Sequence, residues 1–189
     1  MKKHRMTTLP LALLALGALG AAALYAQEKV NSPTAIHEQA ARHSKDVAKA
    51  LNTLGVGETP FDFINFGVSG PVVVLQGFTI NGALKSDAQS HVQKLKWVTH
   101  VVNEVEVLME GPEARSLRRQ TLATLQRLVP QAFPENHANI RIKATAKGDV
   151  TLIGVVSPAD KVRLEAAIEQ IKHLDFVGTV TNHIVETTS

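Results

Sequence analysis

The sequence predicts an α+β protein in which one unit occurs twice: two tandem αββαβ domains, each a three-stranded mixed sheet with two helices. Three observations predict it. Apolar spacing switches between helical and alternating in one order, helix, strand, strand, helix, strand, on both sides of a break at Glu110-Gly111-Pro112-Glu113. Matching segments lie at a nearly constant offset: 77 residues from Leu75-Gln76-Gly77 to Leu152-Ile153-Gly154, 78 from Gly70 to Gly148, and 79 from Trp97–Asn103 to Phe176–Asn182. A period that long is not a solenoid repeat, and 44% hydrophobic with 20% charged residues over 189 is the composition of folded domains.

The elements follow in order. Lys2, Lys3, His4 and Arg5 precede an uncharged run from Leu9 to Leu24 that ends at Ala26, before Gln27-Glu28-Lys29. This is the layout of a secretory signal peptide over residues 1–26, cleaved after Ala26 or, as the rival site, after Ala23. Its 16 apolar residues span about 24 Å as a helix, short of the about 30 Å hydrocarbon core. An uncleaved anchor with Tyr25 at the interface is the alternative. Residues 27–33 read as a linker and 34–109 as the first domain.

Ser32-Pro33 opens a helix whose apolar stripe is Ile36, Ala40, Val47, Leu51 and Leu54, ending before Gly55. Phe61 to Val68 and Val72 to Leu75 are strands joined as a hairpin through Ser69-Gly70-Pro71. A helix over 82–96 starts at Asn81 or at a Ser86/Gln89 capping box, and His100 to Met109 alternates as a strand with one wetter face. After a linker at 110–112, the second domain (113–186) repeats the order: a helix from Glu113 to Phe133, strands at Asn139–Ala146 and Val150–Val156 around Lys147-Gly148-Asp149, a helix from Pro158, and a strand at Phe176–Glu186. A short tail, 187–189, follows. Trp97 and Phe176, each just after a helix, are expected to close their cores. Asn103 and Asn182 are expected to bond nearby backbone, and Gly77 and Gly154 to allow a close approach.

Leu-x-Gly at the end of the second strand, a helix, then Val-x-x-Val-x-Asn entering the last strand, twice over behind a signal peptide, resembles the BON domain family. The resemblance covers about 61–109 and 139–186, with the leading helices part of the same unit. It implies a non-catalytic periplasmic protein that meets phospholipid. The family usually has Gly directly before the Val after the helix, where this chain has Trp97 and Phe176. The lipid-anchored relatives' N-terminal Cys is absent, which implies a soluble periplasmic form.

The residues offer no catalytic set. Without cysteine, disulfides, thiolate chemistry and cysteine-ligated zinc are excluded. No histidine pair stands at i, i+4 with a carboxylate partner, so no metal site is expected, and the glycines from Gly67 to Gly82 lack the lysine and hydroxyl of a phosphate loop. Glu104 and Glu106 share one side of a strand, read as a wet sheet face rather than a paired acid site. No cofactor is expected.

Charge carries the remaining signal. The whole chain has 20 Lys+Arg against 17 Asp+Glu, a net +3, but Lys2, Lys3 and Arg5 belong to the export segment, which leaves 17 against 17. A neutral exported chain makes nucleic acid an unexpected partner. Residues 27–112 hold 7 basic and 9 acidic side chains, residues 113–189 hold 10 and 8, and from Arg115 to Lys147 seven cations face only Glu135. On the helix, Leu117, Thr121, Leu125, Leu128 and Ala132 form the predicted buried stripe, with Arg118 at its border and Leu122 and Val129 between the arginines. Arg115, Arg118, Arg119, Leu122, Arg127, Arg141 and Lys143 are therefore the candidate contacts to an anionic phospholipid or membrane surface, in envelope or osmotic stress maintenance. The rival reading is a periplasmic chaperone or protein-interaction module that holds envelope proteins at its sheet edges.

Overall fold

A computed structural model describes residues 33–108, 111–135 and 137–188. The predicted signal peptide, its cleavage sites and most of the 27–33 linker lie outside the described residues. So do Met109 and Glu110 beside the predicted break. The chain divides into two compact units, 1–43 and 44–189, with the boundary inside helix α1 (Pro33–Asn52). Of the first unit the described part is the opening of α1, helical and largely exposed, with Ile36 on its surface.

The second unit is α+β with two three-stranded mixed sheets. After the end of α1 come β1 (Phe63–Ser69), β2 (Val72–Thr79), α2 (Gly82–Gln93) and β3 (His100–Val107). Then follow α3 (Pro112–Leu128), β4 (Ile140–Ala144), β5 (Asp149–Val156), α4 (Lys161–Lys172) and β6 (Thr179–Glu186). In both sheets the middle strand pairs antiparallel with the strand before it and parallel with the strand after it, orders β1-β2-β3 and β4-β5-β6. The geometry has a local cause: a short turn, Gly70-Pro71 in one sheet and residues 145–148 in the other, can only reverse the chain, whereas a parallel partner needs a crossover, which α2 and α4 supply. Alternate residues of each sheet face a core of their own. Val73, Leu75, Val92 and Val105 are the deepest of one; Leu125, Ile142, Leu152 and Ile171 are the deepest of the other. Among the described residues no helix is long and apolar enough to cross a membrane.

The two sheets repeat two local devices. Gly77 opposes Ile64 and Gly154 opposes Ile140, at φ +125° and +155°. A Cβ on either would stand 1.9 Å from the Phe63 carbonyl oxygen or 2.0 Å from that of Asn139. Asn103 Oδ1 accepts the Val105 amide at 3.2 Å, and Asn182 Oδ1 accepts the Ile184 amide at 2.9 Å, so both asparagines bond backbone two residues on.

Several boundaries differ from the sequence expectation. α3 stops at Leu128 rather than Phe133, because Pro130 cannot continue a helix and pushes Val129 to φ −131°; a 3-10 turn, Pro130–Ala132, follows. Asn81, not Ser86, caps α2, its side chain accepting the Ala83 amide at 3.0 Å. A 3-10 turn (Pro158–Asp160) precedes α4, and β6 begins at Thr179 instead of Phe176. Thr121 belongs to the buried stripe as expected, but Val129 is fully buried as well, because the chain turns inward there.

Trp97 and Phe176 do not play one role. Trp97 packs half-buried on the first core and donates its Nε1–H to Asp46 at 3.2 Å. Phe176 is 70% exposed and left-handed at φ +67°, with its carbonyl against Gly148. Its backbone adopts a conformation that glycine favours while carrying a side chain. Such a conformation costs an L-residue about 1–2 kcal/mol, and an exposed ring offsets little of it. Phe176→Gly is therefore expected to stabilise the chain by about 0.5–1 kcal/mol after the entropy of the added glycine is subtracted. Thermal denaturation would show a midpoint raised by about 1–4 °C; a lowered midpoint would mean that the ring packs in solution.

Candidate functional site

α3 starts at Gly111, whose backbone is extended and gives the helix no side-chain cap, followed by Pro112 at the first helical position. One turn later the helix presents its arginines. Arg115 and Arg119 are exposed, four residues apart and so on one face. Arg118 is only 3% exposed and donates from Nη1 to the Ala144 carbonyl at 3.5 Å, at the end of β4. The sequence placed it at the border of the stripe; the approach of β4 is what covers it.

These three guanidinium groups line a cleft of about 360 Å3 whose other walls are Phe61, Ile80 and Pro112. Phe61 precedes β1 and Ile80 follows β2, and both are fixed by Asp62. That carboxylate, 7% exposed, accepts from Thr79 Oγ1 at 2.5 Å, Thr59 Oγ1 at 2.7 Å and the Ile80 amide at 3.3 Å. Phe61 packs at the same time on the second core. The cleft is thus arginine on one wall and hydrocarbon on the other.

The remaining candidates lie elsewhere. Leu122 is half-buried against the second core, so it is not an apolar knob ringed by arginines; Phe61, Ile80 and Pro112 provide the apolar surface instead. Arg127 donates to Gln170 Oε1 at 2.5 Å on the neighbouring α4. Arg141 reaches Gly57, donating from Nη2 to its carbonyl at 2.9 Å, while the Ile142 amide donates to the Pro60 carbonyl at 2.6 Å. Residues 57–60 thereby cover the outer edge of β4, which would otherwise be an open template for another strand. Burial lowers the pKa of Arg141 and the charge of Asp62 acts against that fall; a guanidinium stays protonated regardless. Lys143 pairs with Glu106 of β3, and Glu104 accepts from Gln76 Nε2 at 2.8 Å. Glu104 and Glu106 are thus each engaged with a different neighbour. Among the described residues no group of three His, Asp or Glu side chains is placed to hold a metal.

Sequence reading missed Phe61, Ile80 and Asp62. The one available signal was an acid between two phenylalanines, Phe61-Asp62-Phe63, a place where a charge stays only if it is bonded.

Comparison with known families bears on the second sheet. A BON domain lies at residues 121–187. The match takes in about a third of the chain, from the middle of α3 through β6, so Arg115, Arg118 and Arg119 stand just ahead of it. No curated protein sequence matches the chain. Two solved structures of CdsD, a structural protein of the type III secretion system of Chlamydia trachomatis, are similar to it. One, its C-terminal domain, has 13% identity and a TM-score of 0.32, covering 76% of this chain and 96% of its own. The other has 15% identity and a TM-score of 0.28, covering 76% and 91%. Scores of this size carry no argument about role.

Proposed function

We propose that the chain is a non-catalytic module of the bacterial envelope, exported to the periplasm. In this reading it is a pair of tandem BON domains whose second half docks on anionic phospholipid surfaces, in envelope or osmotic stress maintenance. The first half enters as a BON domain because it shares the strand order, the glycine close approach and the Asn turn of the matched half. The observation that carries the lipid reading is the exposed pair Arg115 and Arg119 at the mouth of an apolar cleft. Each cation held near an anionic leaflet contributes about 1 kcal/mol, and exposed charges act through solvent, so the attraction weakens as salt shortens the screening length.

Arg115→Glu with Arg119→Glu is the informative variant, because both side chains are exposed; reversing Arg118 would bury an acid and confuse binding with folding. Co-sedimentation with phosphatidylglycerol vesicles at low salt is expected to fall at least about 30-fold in the double variant, two cations at about 1 kcal/mol each. Wild-type binding should weaken between low and physiological salt. Binding that ignores both salt and the substitutions would sink the reading.

A protein-interaction role has one observation of its own. Among the described residues β6 is paired only on its β5 side, and Val185 (59% exposed) lies beside Val155 (40% exposed) in register, an apolar pair on an edge strand. A chain that ignores vesicles but suppresses aggregation of an unfolded client would favour that role.

A further inference from the structure

Phe176 combines two features that a folded chain ordinarily avoids. Its ring is 70% exposed, and its backbone is left-handed at φ +67°, whereas every other positive φ among the described residues belongs to a glycine. A single exposed apolar side chain is common and needs no account. One turned outward by a strained backbone is different, because such strain persists only where the surroundings impose it, and it clusters where proteins bind. The surroundings impose it here. Leu174 and Val177 on either side pack on the second core, the Gly178 amide donates to the Gly148 carbonyl at 2.9 Å, and Thr179 Oγ1 donates to Asp149 Oδ1 at 2.7 Å. The ring is a fixed projection, while its counterpart Trp97 is folded onto the first core.

We infer that Phe176 is an apolar anchor that enters the interfacial layer of an anionic bilayer when the second half docks. This rests on the anionic-phospholipid reading and adds the group that leaves water. The ring stands at the appropriate end of the sheet. The Asn139 amide donates to the Ala132 carbonyl at 2.7 Å, so the chain following α3 meets the start of β4, and the first turns of α3 lie toward its end, where Arg118 meets the Ala144 carbonyl. The turn 145–148 follows Ala144 directly, and Gly148 lies against the Phe176 carbonyl. Arg119, Lys147 and Phe176, all exposed, therefore belong to one end of the second sheet. Cations at headgroup level and an apolar group beneath them are the two components of interfacial binding. At the tip itself Lys147 is offset by Asp175, exposed beside the ring, while Asp149 is held by Thr145 and Thr179. What the tip adds is hydrocarbon. A protein pocket would bury the rim of its anchor as well, and charged residues are depleted from such cores; a bilayer leaves Lys147 and Asp175 in the headgroup water.

Phe176→Gly tests this without loss of structure, since relief of the backbone should raise its thermal midpoint. Co-sedimentation of the full chain with phosphatidylglycerol vesicles should nevertheless fall about fivefold or more, the transfer of a partly inserted ring. Its ratio to wild type should be the same at low and physiological salt, whereas the effect of Arg115→Glu with Arg119→Glu should shrink as salt rises. Phe176→Trp should keep binding, and its emission, after subtraction of the wild-type Trp97 signal, should shift to the blue and be quenched by lipid brominated in its acyl chains. Undiminished sedimentation of Phe176→Gly, or an indole that brominated lipid does not quench, would overturn the anchor and leave docking by the arginines. A wild-type chain that does not sediment would remove the docking reading and the anchor with it. A wild-type dimer that Phe176→Gly dissociates, with vesicle binding unchanged, would assign the ring to a second copy and overturn the anchor.

Discussion

Gly154→Ala is expected to destabilise the chain by roughly 2–6 kcal/mol, with Gly77→Ala costing a similar amount. Two costs combine. A φ of +155° or +125° belongs to backbone that L-residues rarely adopt, about 1–3 kcal/mol each. The added methyl then meets the Asn139 or Phe63 carbonyl oxygen at 2.0 or 1.9 Å, and because that atom is backbone, a strand must move to make room. Overpacking of this kind costs about 1–3 kcal/mol more. Urea unfolding measures the sum. Gly67→Ala is the control: it lies in β1 without a positive φ and with nothing within 4 Å of its Cβ position, so it should be close to neutral or slightly stabilising. Losses below about 1 kcal/mol at both Gly77 and Gly154 would mean that neither close approach exists in solution.

The glycines show which part of the molecule the sequence made readable. A period of two against one near 3.6, a Leu-x-Gly at a strand end and an Asn whose side-chain oxygen accepts the amide two residues on are all local, and local rules recover the order helix, strand, strand, helix, strand in both halves. The partners of Arg141 and Lys143 are not local. They are Gly57 and Glu106, 84 and 37 residues away, so cations that read as a free basic patch turn out to be committed to the other half of the unit. Arg118 failed for a related reason: helical spacing fixes its angle on α3, but only the arrival of β4 decides that this angle is covered. Phe176 was read by symmetry with Trp97, and the left-handed backbone that turns it outward has no counterpart at Trp97. The cleft was hidden for the same reason, since Phe61 and Ile80 reach Arg115 from 54 and 35 residues away.

Asp62→Ala should be the costliest polar substitution in the described chain, at about 3–5 kcal/mol. Hydrogen bonds to a charged acceptor contribute about 1.5–3 kcal/mol each, and Asp62 accepts three, one of them from Thr79, which is fully buried. Its removal leaves buried donors short of an acceptor and takes away the negative charge that Arg141, half-buried, feels from across the two halves. Arg141 Nη1 already has no hydrogen-bond partner, so the guanidinium has little else to turn to. Asp62→Asn keeps one acceptor oxygen and should cost about half as much. A cycle with Arg141→Met separates the contributions: if the two residues act together, the double variant should lose at least about 0.5 kcal/mol less than the sum of the single ones. Strict additivity would place the effect in the Thr59, Thr79 and Ile80 bonds alone.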